Sequence, residues 1–157
     1  MPKPSLPLAV VMQWRRLNNR WVDGAWEAWS VLPGERDETA PRILVREPDF
    51  VQWLHPGLHL VLHRDEIAGY QFNLTATRPR VFVLWREDDE QGVPIELSAS
   101  FDEASRWADG GHLVDGVVMP PSVFAWIGAY VEANYRPEPE PRIKPRSFRS
   151  PRDRVLG

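Results

Sequence analysis

Three histidines, His55, His59 and His63, recur at intervals of four residues, a spacing that places metal ligands on one stripe of a helix. The pair Pro56-Gly57 follows His55 directly and interrupts any helix there. On a strand, His59 and His63 would share a face but lie about 13 Å apart, too far for one ion. We therefore interpret them as surface or hydrogen-bonded histidines and expect no metal site.

Carboxylates are concentrated at Asp65-Glu66 and in the run from Glu87 to Glu90. Both groups fall on predicted exposed turns, whereas acid–base catalysis needs environments that split the pKa values of its carboxylates. The Gly-x-Ser-x-Gly motif and the glycine-rich phosphate loops do not occur, and the chain has no cysteine. These patterns predict a non-catalytic protein without a bound cofactor.

Eight tryptophans are a second candidate source of function. Large aromatic side chains either fill a small β-rich core or build a binding surface. We assign Trp14 and Trp85 to the core because they continue apolar strand patterns. Trp21 lies in a polar connection and is the best candidate for an exposed partner-binding anchor.

The C-terminal segment from Pro141 to Gly157 contains six basic residues and one acid, so it carries +5. With a net charge of −3 for the chain, the first 140 residues carry −8. An acidic body argues against binding nucleic acid across the main surface. The tail is either an inert solubilising segment or an arm that folds onto a partner. As an arm it would use Arg142, Lys144, Arg146, Phe148, Arg149, Arg152 and Arg154.

The elements that would position these residues are mostly strands. Leu8 to Arg15 alternates between Leu8, Val10, Met12 and Trp14 on one face and Ala9, Val11, Gln13 and Arg15 on the other. The stretch from Leu58 to Arg86 predicts three consecutive antiparallel strands, with Tyr70, Phe72 and Leu74 alternating in the second. Val81 to Trp85, apolar throughout, predicts a central strand.

Two helices complete the prediction. Ser100 and Glu103 form a capping box before a short helix through Ala108, and Pro120-Pro121 opens a C-terminal amphipathic helix with Phe124, Ile127 and Val131 on its apolar stripe. The fold class is α+β, mainly β: an antiparallel small barrel or sandwich of about seven or eight strands. We predict a single domain over residues 1–136 and an extended tail over 137–157. The short apolar runs suit a soluble, cytoplasmic protein.

Several stretches resemble an uncharacterised proteobacterial domain family whose members are typically encoded beside formate dehydrogenase and molybdenum-cofactor genes. The likeness covers about Val10 to Pro145 and rests on GAWEAWSVLPG, LHLVLHRDEIAGYQFNL, PRVFVLWRE, SASFDEASRWADGG and VVMPPSVFAWIGAYVEANY. It is strongest at the turn His63-Arg64-Asp65-Glu66, which carries more polar chemistry than a hairpin needs. The resemblance implies an accessory or maturation role for a molybdenum-dependent formate dehydrogenase.

The leading hypothesis is a non-catalytic accessory protein that binds a partner polypeptide, such as a formate dehydrogenase or one of its assembly factors. Candidate partner-binding residues are Trp21, His63, Arg64, Asp65, Glu66 and the basic tail. A second hypothesis is a barrel that holds a pterin or nucleotide between tryptophans. Nucleic-acid binding through the tail ranks last because the body is acidic.

Overall fold

The structure, a computed structural model, describes residues 2–34 and 40–135. Within these ranges seven strands form two antiparallel sheets, accompanied by three α-helices and one 3-10 turn. In chain order the elements are β1 (Ser5–Arg16), β2 (Gly24–Pro33), β3 (Arg42–Arg46), β4 (Phe50–Val61), the 3-10 turn (Arg64–Glu66), α1 (Ile67–Leu74), β5 (Arg80–Asp88), β6 (Gln91–Ser98), α2 (Phe101–Asp109), β7 (Leu113–Val118) and α3 (Pro121–Asn134).

The first sheet has four strands in the order β2-β1-β4-β3, and the second has three in the order β6-β5-β7. The strands β1, β4 and β5 are interior, each hydrogen-bonded to a neighbour on both sides, and β1 has the longest buried run, from Leu8 to Gln13. Bulges interrupt the register of β1 with both of its neighbours. Such bulges increase the local twist and curve the four-stranded sheet.

One hydrophobic core lies between the two sheets and α3. It combines Leu8, Val10 and Met12 of β1 with residues of every strand except β3 and with Tyr70, Val123, Ile127 and Val131 of the helices. The fold is therefore mainly β and sandwich-like, which fits one of the two predicted architectures, the sandwich. The alternative, a closed barrel, is not confirmed, because the strand ladders of the described residues form two separate sheets.

The predicted three-stranded meander from Leu58 to Arg86 is wrong in its middle segment. Leu58 lies near the end of a long strand, β4, which runs to Val61, and the residues from Ile67 to Leu74 form α1. Ile67, Tyr70 and Leu74 have the helical spacing of three and four residues, whereas the predicted alternation used Tyr70, Phe72 and Leu74. Ile67, Tyr70 and Leu74 are the set that packs against the core. Burial of this helical stripe decided between two patterns that the sequence allows equally.

The remaining helices confirm the predictions in outline. Ser100 caps α2, since its Oγ accepts a hydrogen bond from the Glu103 backbone N–H at 3.1 Å. The Glu103 side chain does not complete the capping box and instead accepts from Ser98 Oγ. In α3 the buried stripe is Val123, Ile127 and Val131, whereas Phe124, predicted to face inward, is exposed.

The predicted tail over residues 137–157 lies outside the described residues, so the boundary at residue 136 stays a prediction. Among the described helices, none combines the length and apolar character needed to cross a membrane.

Candidate binding site

The outward face of the four-stranded sheet carries the candidate site. Leu8, Val10 and Met12 of β1 are buried in the core, so strand alternation turns Gln13 and Arg15 to the opposite face. This outward face is not simply a solvated surface. It holds a second, small apolar cluster, formed by Ala9, Val11 and Leu54.

Beside that cluster, three polar residues form a ladder across three strands. Gln13 of β1 stands directly opposite Glu27 of β2 on one side and Gln52 of β4 on the other. Gln52 Nε2 donates to Gln13 Oε1 at 2.7 Å, and Gln13 Nε2 donates to Glu27 Oε2 at 3.1 Å. Arg15 Nε lies 3.6 Å from the same Glu27 oxygen. The ladder is a pre-organised polar floor, because each group is held by its neighbour.

A cavity of about 1020 Å³ opens on this floor, and we call it the β1–β2 groove. Trp29, which is 52% exposed, and the half-buried Phe50 provide its large apolar walls. The groove is lined by Gln13, Arg15, Arg16, Leu17, Asn18, Asn19, Arg20, Asp23, Trp29, Asp49, Phe50 and Gln52. It thus combines aromatic surface with side-chain amides and charges of both signs.

The loop between β1 and β2 forms one rim of the groove and is anchored at its base. Leu17 N donates to Asp23 O at 2.9 Å, which closes the loop on itself. Arg16 connects the loop to the start of β4, since its Nε lies 3.4 Å from Asp49 Oδ1 and its backbone N–H donates to Asp49 O at 2.8 Å. These contacts hold the rim against the sheet.

Trp21 lies in this loop and is 81% exposed, which confirms the predicted exposure of the side chain. Its backbone N–H donates to Asn19 Oδ1 at 2.7 Å, and the guanidinium of Arg20 lies 5.7 Å from its ring centre. The local turn therefore presents the indole to solvent. Its role in binding a partner stays a prediction.

The predicted partner-binding turn at His63 lies in a different region from the β1–β2 groove. His63, Arg64 and Asp65 line a second cavity, of about 680 Å³, together with residues near the N-terminus and on α3. There Lys3 Nζ lies 2.9 Å from His63 Nδ1, and the Tyr70 hydroxyl accepts from the His63 backbone N–H at 2.8 Å. Burial raises the pKa of Tyr70 above its ordinary value, so this hydroxyl stays protonated.

Glu66, which we expected on an exposed turn, turns inward instead. Its carboxylate accepts hydrogen bonds from Ser100 Oγ and, at 2.6 Å, from the Arg106 guanidinium. The hydrogen bond with Glu66 raises the pKa of Arg106. Only 11% of the Glu66 side chain is exposed, so its first role is to join the 3-10 turn to α2.

The histidines are dispersed: His55 and His59 lie on β4, whereas His63, predicted on a strand, precedes the 3-10 turn. His55 is buried on β4, and burial lowers its pKa; His59 is exposed, and His63 lies beside Lys3. No group of three or more potential metal ligands occurs among the described residues. The basic tail candidates, Arg142, Lys144, Arg146, Phe148, Arg149, Arg152 and Arg154, lie outside the described residues.

The prediction from sequence missed most of the β1–β2 groove. One signal for it was available: Gln13 interrupts an otherwise apolar strand, on the face where Ala9 and Val11 also lie. No sequence pattern linked Gln13 to Gln52 and Glu27, because a pairing across strands depends on the register of the sheet.

The model of the family described as "Protein of unknown function (DUF3305)" matches residues 7–144. No curated protein and no solved structure matches the chain. The matched range begins within β1, extends past α3 and covers most of the chain, which agrees with the extent of the resemblance found in the sequence. The chain therefore belongs to the DUF3305 family.

Proposed function

We propose that the protein is a non-catalytic accessory factor that binds a partner polypeptide, and that the partner is a molybdenum-dependent formate dehydrogenase or one of its assembly factors. The observation that carries the first part is the β1–β2 groove with its exposed tryptophans, Trp29 on a wall and Trp21 on the adjoining loop. Exposed tryptophan and arginine are the residues most enriched at energetically important protein–protein contacts.

The polar floor of the groove favours a polypeptide over a purely apolar ligand. A peptide chain presents alternating N–H donors and C=O acceptors, and amide side chains can pair with both. Gln13 is 4% exposed and orients the half-buried Gln52 through their hydrogen bond, so Gln52 loses less conformational entropy on binding. Arg15 and Glu27 are paired with each other, which favours recognition over acid–base chemistry.

The identity of the partner rests on the resemblance described above, because relatives are encoded beside formate dehydrogenase and molybdenum-cofactor genes. The cavity beside His63 supports a second contact region, since it contains exposed Lys3, Arg64 and Asp65. A chain with two such regions could contact one partner at both. We place the main binding energy at the groove, where the large aromatic side chains are.

The test is a binding measurement between the full chain and formate dehydrogenase subunits isolated from the same cells. Trp29→Ala and Trp21→Ala should each weaken binding by about 30-fold, the effect of losing an anchor worth about 2 kcal/mol. Phe124→Ala is the matched control, because Phe124 is also an exposed aromatic but lies on α3. Urea unfolding of each variant separates lost binding from lost folding.

Two outcomes would contradict the proposal. If both tryptophan variants bind the partner as tightly as the unaltered chain does, the groove is not the contact surface. A chain that is recovered from gentle extracts only as a free monomer would count against any stable partner.

A further inference from the structure

A third cavity, of about 300 Å³, lies at one end of the sandwich and has three tryptophans in its lining. Trp14 and Trp26 stand directly opposite each other on β1 and β2, and Trp53 follows on β4. The other lining residues are Val51, Arg46, Glu90 and Gln91. We call this cavity the tryptophan pocket; it is lined by different residues from those of the β1–β2 groove.

Two glycines let the tryptophan rings lie against the backbone. A Cβ on Gly24 would overlap the ring of Trp14, and a Cβ on Gly92 would lie 2.9 Å from Trp26 Cβ and 3.0 Å from its ring. Trp26 Nε1 also donates to the carbonyl oxygen of Glu90 at 3.1 Å. Trp14 and Trp26 are therefore held in place before any ligand arrives, which lowers the entropic cost of binding.

The turn that joins β5 to β6 forms the acidic side of the pocket. Its two central residues, Asp89 and Glu90, have φ angles of 56° and 65° in the left-handed region that favours glycine or asparagine. Glu90 of this turn and Arg46 are the charged residues of the lining, and Glu87, Asp88 and Asp89 continue the acidic run beside it. Arg86 lies 3.9 Å from Asp88. The lining itself is therefore neutral, but the three further carboxylates of the turn outnumber Arg86, so the field around the pocket favours a cation.

We propose that the tryptophan pocket binds an arginine side chain of the partner polypeptide; this inference rests on the function proposed above. A guanidinium group is planar and weakly hydrated, so it stacks on an indole face better than a lysine ammonium does. Its N–H groups can also pair with the carboxylates of the turn. A pterin or nucleotide that carries phosphate could stack equally well, but the same carboxylates would repel it.

The experiment is a titration of the full-length chain with a short, end-blocked peptide that contains one arginine. Binding is followed through the indole N–H signals in nuclear magnetic resonance spectra, which resolve the individual tryptophans. We expect the signals of Trp14, Trp26 and Trp53 to move, while those of Trp21 and Trp29 stay in place. The same peptide with citrulline, which has the shape of arginine without its charge, should bind at least about fivefold more weakly.

The role of charge is tested by Glu90→Gln, which keeps the size of the side chain. It should lower the affinity for the arginine peptide by about threefold to tenfold. Glu96→Gln, on an exposed position of β6, is the matched control and should bind as the unaltered chain does. Equal affinity for the citrulline peptide, or preferential binding of a guanine nucleotide, would overturn the proposal. A variant with the six basic residues of the tail replaced by glutamine gives a further test, measured without added peptide. If the indole signals of the pocket move in this variant, the tail is the occupant and the proposal is overturned.

The two proposals fail separately. If Trp29→Ala abolishes capture of the partner while the arginine peptide still moves the pocket signals, the partner function and the pocket assignment both stand. If the partner binds through the groove but Glu90→Gln changes neither partner nor peptide affinity, only the pocket assignment falls. If no partner binds yet the peptide does, the pocket binds guanidinium groups and the proposed function is wrong.

Discussion

Asp115 of β7 accepts a hydrogen bond from the indole of Trp85 on the neighbouring strand β5, at 2.9 Å. The same carboxylate oxygen, Oδ2, accepts from the backbone N–H of Ala28 on β2, also at 2.9 Å. Because β2 and β7 are edge strands of different sheets, this one side chain links the two sheets of the sandwich. Trp85 is 7% exposed, which confirms its predicted place in the core.

Asp115→Ala should destabilise the fold by about 2–4 kcal/mol, because two buried donors lose a charged acceptor. The free energy of unfolding in urea is the measurement. Asp109→Ala serves as a control, since Asp109 is exposed at the end of α2. Equal losses in the two variants would show that the link between the sheets contributes nothing specific.

Gly69 and Gly128 form a natural pair of test positions, since both lie in helices. A Cβ on Gly69 would overlap the Oγ of Ser100, whereas a Cβ on Gly128 meets nothing within 4 Å. Gly69→Ala should therefore destabilise the chain by about 1–3 kcal/mol through overpacking. Gly128→Ala should stabilise it by about 0.5–1 kcal/mol through lower chain entropy and better helix propensity.

Thermal unfolding of the two glycine variants, with Gly69→Ala/Ser100→Ala as a third chain, checks the contact itself. The double variant should recover part of the loss if Ser100 is the obstacle. A stabilising Gly69→Ala would mean that α1 does not approach Ser100 this closely.

Asn73, on the helix α1, is 3% exposed, and the polar atoms of its side-chain amide are hydrogen-bonded. Its Nδ2 donates to Arg80 O at 2.7 Å and to Ala99 O at 2.8 Å, and its Oδ1 accepts from Arg80 N at 3.0 Å. At pH 7, Asn73→Asp should lower the free energy of unfolding more than Asn73→Ala does, because the aspartate places a carboxylate against two carbonyl oxygens. The urea midpoints of the two Asn73 variants, with Gln71→Ala at an exposed position as the reference, show which variant is less stable. A less stable Asn73→Ala would contradict the hydrogen bonds assigned to Asn73.

His55 should make stability depend on pH. Its Nε2 is buried and has no hydrogen-bond partner in residues 2–34 and 40–135, and burial lowers its pKa below the ordinary 6.5. The unfolded chain therefore takes up a proton first, so stability is complete above pH 6.5 and falls as the pH drops from there toward the lower pKa of the folded state. The slope is at most about 1.4 kcal/mol per pH unit.

The check compares urea unfolding at pH 8 and pH 5.5 for the unaltered chain and for His55→Gln. His55→Gln should reduce the difference between the free energies of unfolding at the two pH values. His59→Gln, at an exposed position, should leave that difference unchanged. An unchanged pH dependence in His55→Gln would assign the effect to other groups.

Deletion of residues 138–157 should weaken partner binding and leave the free energy of unfolding nearly unchanged. The segment is rich in proline and arginine and poor in apolar residues, so it can add little to a core. Binding and urea unfolding measured on the same truncated chain test both halves of this expectation. Loss of the folded state on truncation would disprove the predicted boundary at residue 136.

Local patterns in the sequence were enough for the elements whose periodicity allows one interpretation. The alternation of Leu8 to Arg15, the continuous apolar run of Val81 to Trp85 and the cap at Ser100 all predicted their elements correctly. The segment from Tyr70 to Thr75 was mispredicted as a strand from its alternation, whereas Ile67–Leu74 forms a helix, whose spacing Ile67, Tyr70 and Leu74 satisfy. Only packing against the core distinguishes the two.

The sequence by itself determined that the chain is mainly β, that α3 follows the strands, and that an acidic body precedes a basic tail. Each of these follows from composition or from a local period. Tertiary structure alone decided that Gln52, Gln13 and Glu27 form one ladder and that Trp14, Trp26 and Trp53 share one pocket. These residues are far apart in the chain, and only the register of three strands places them side by side.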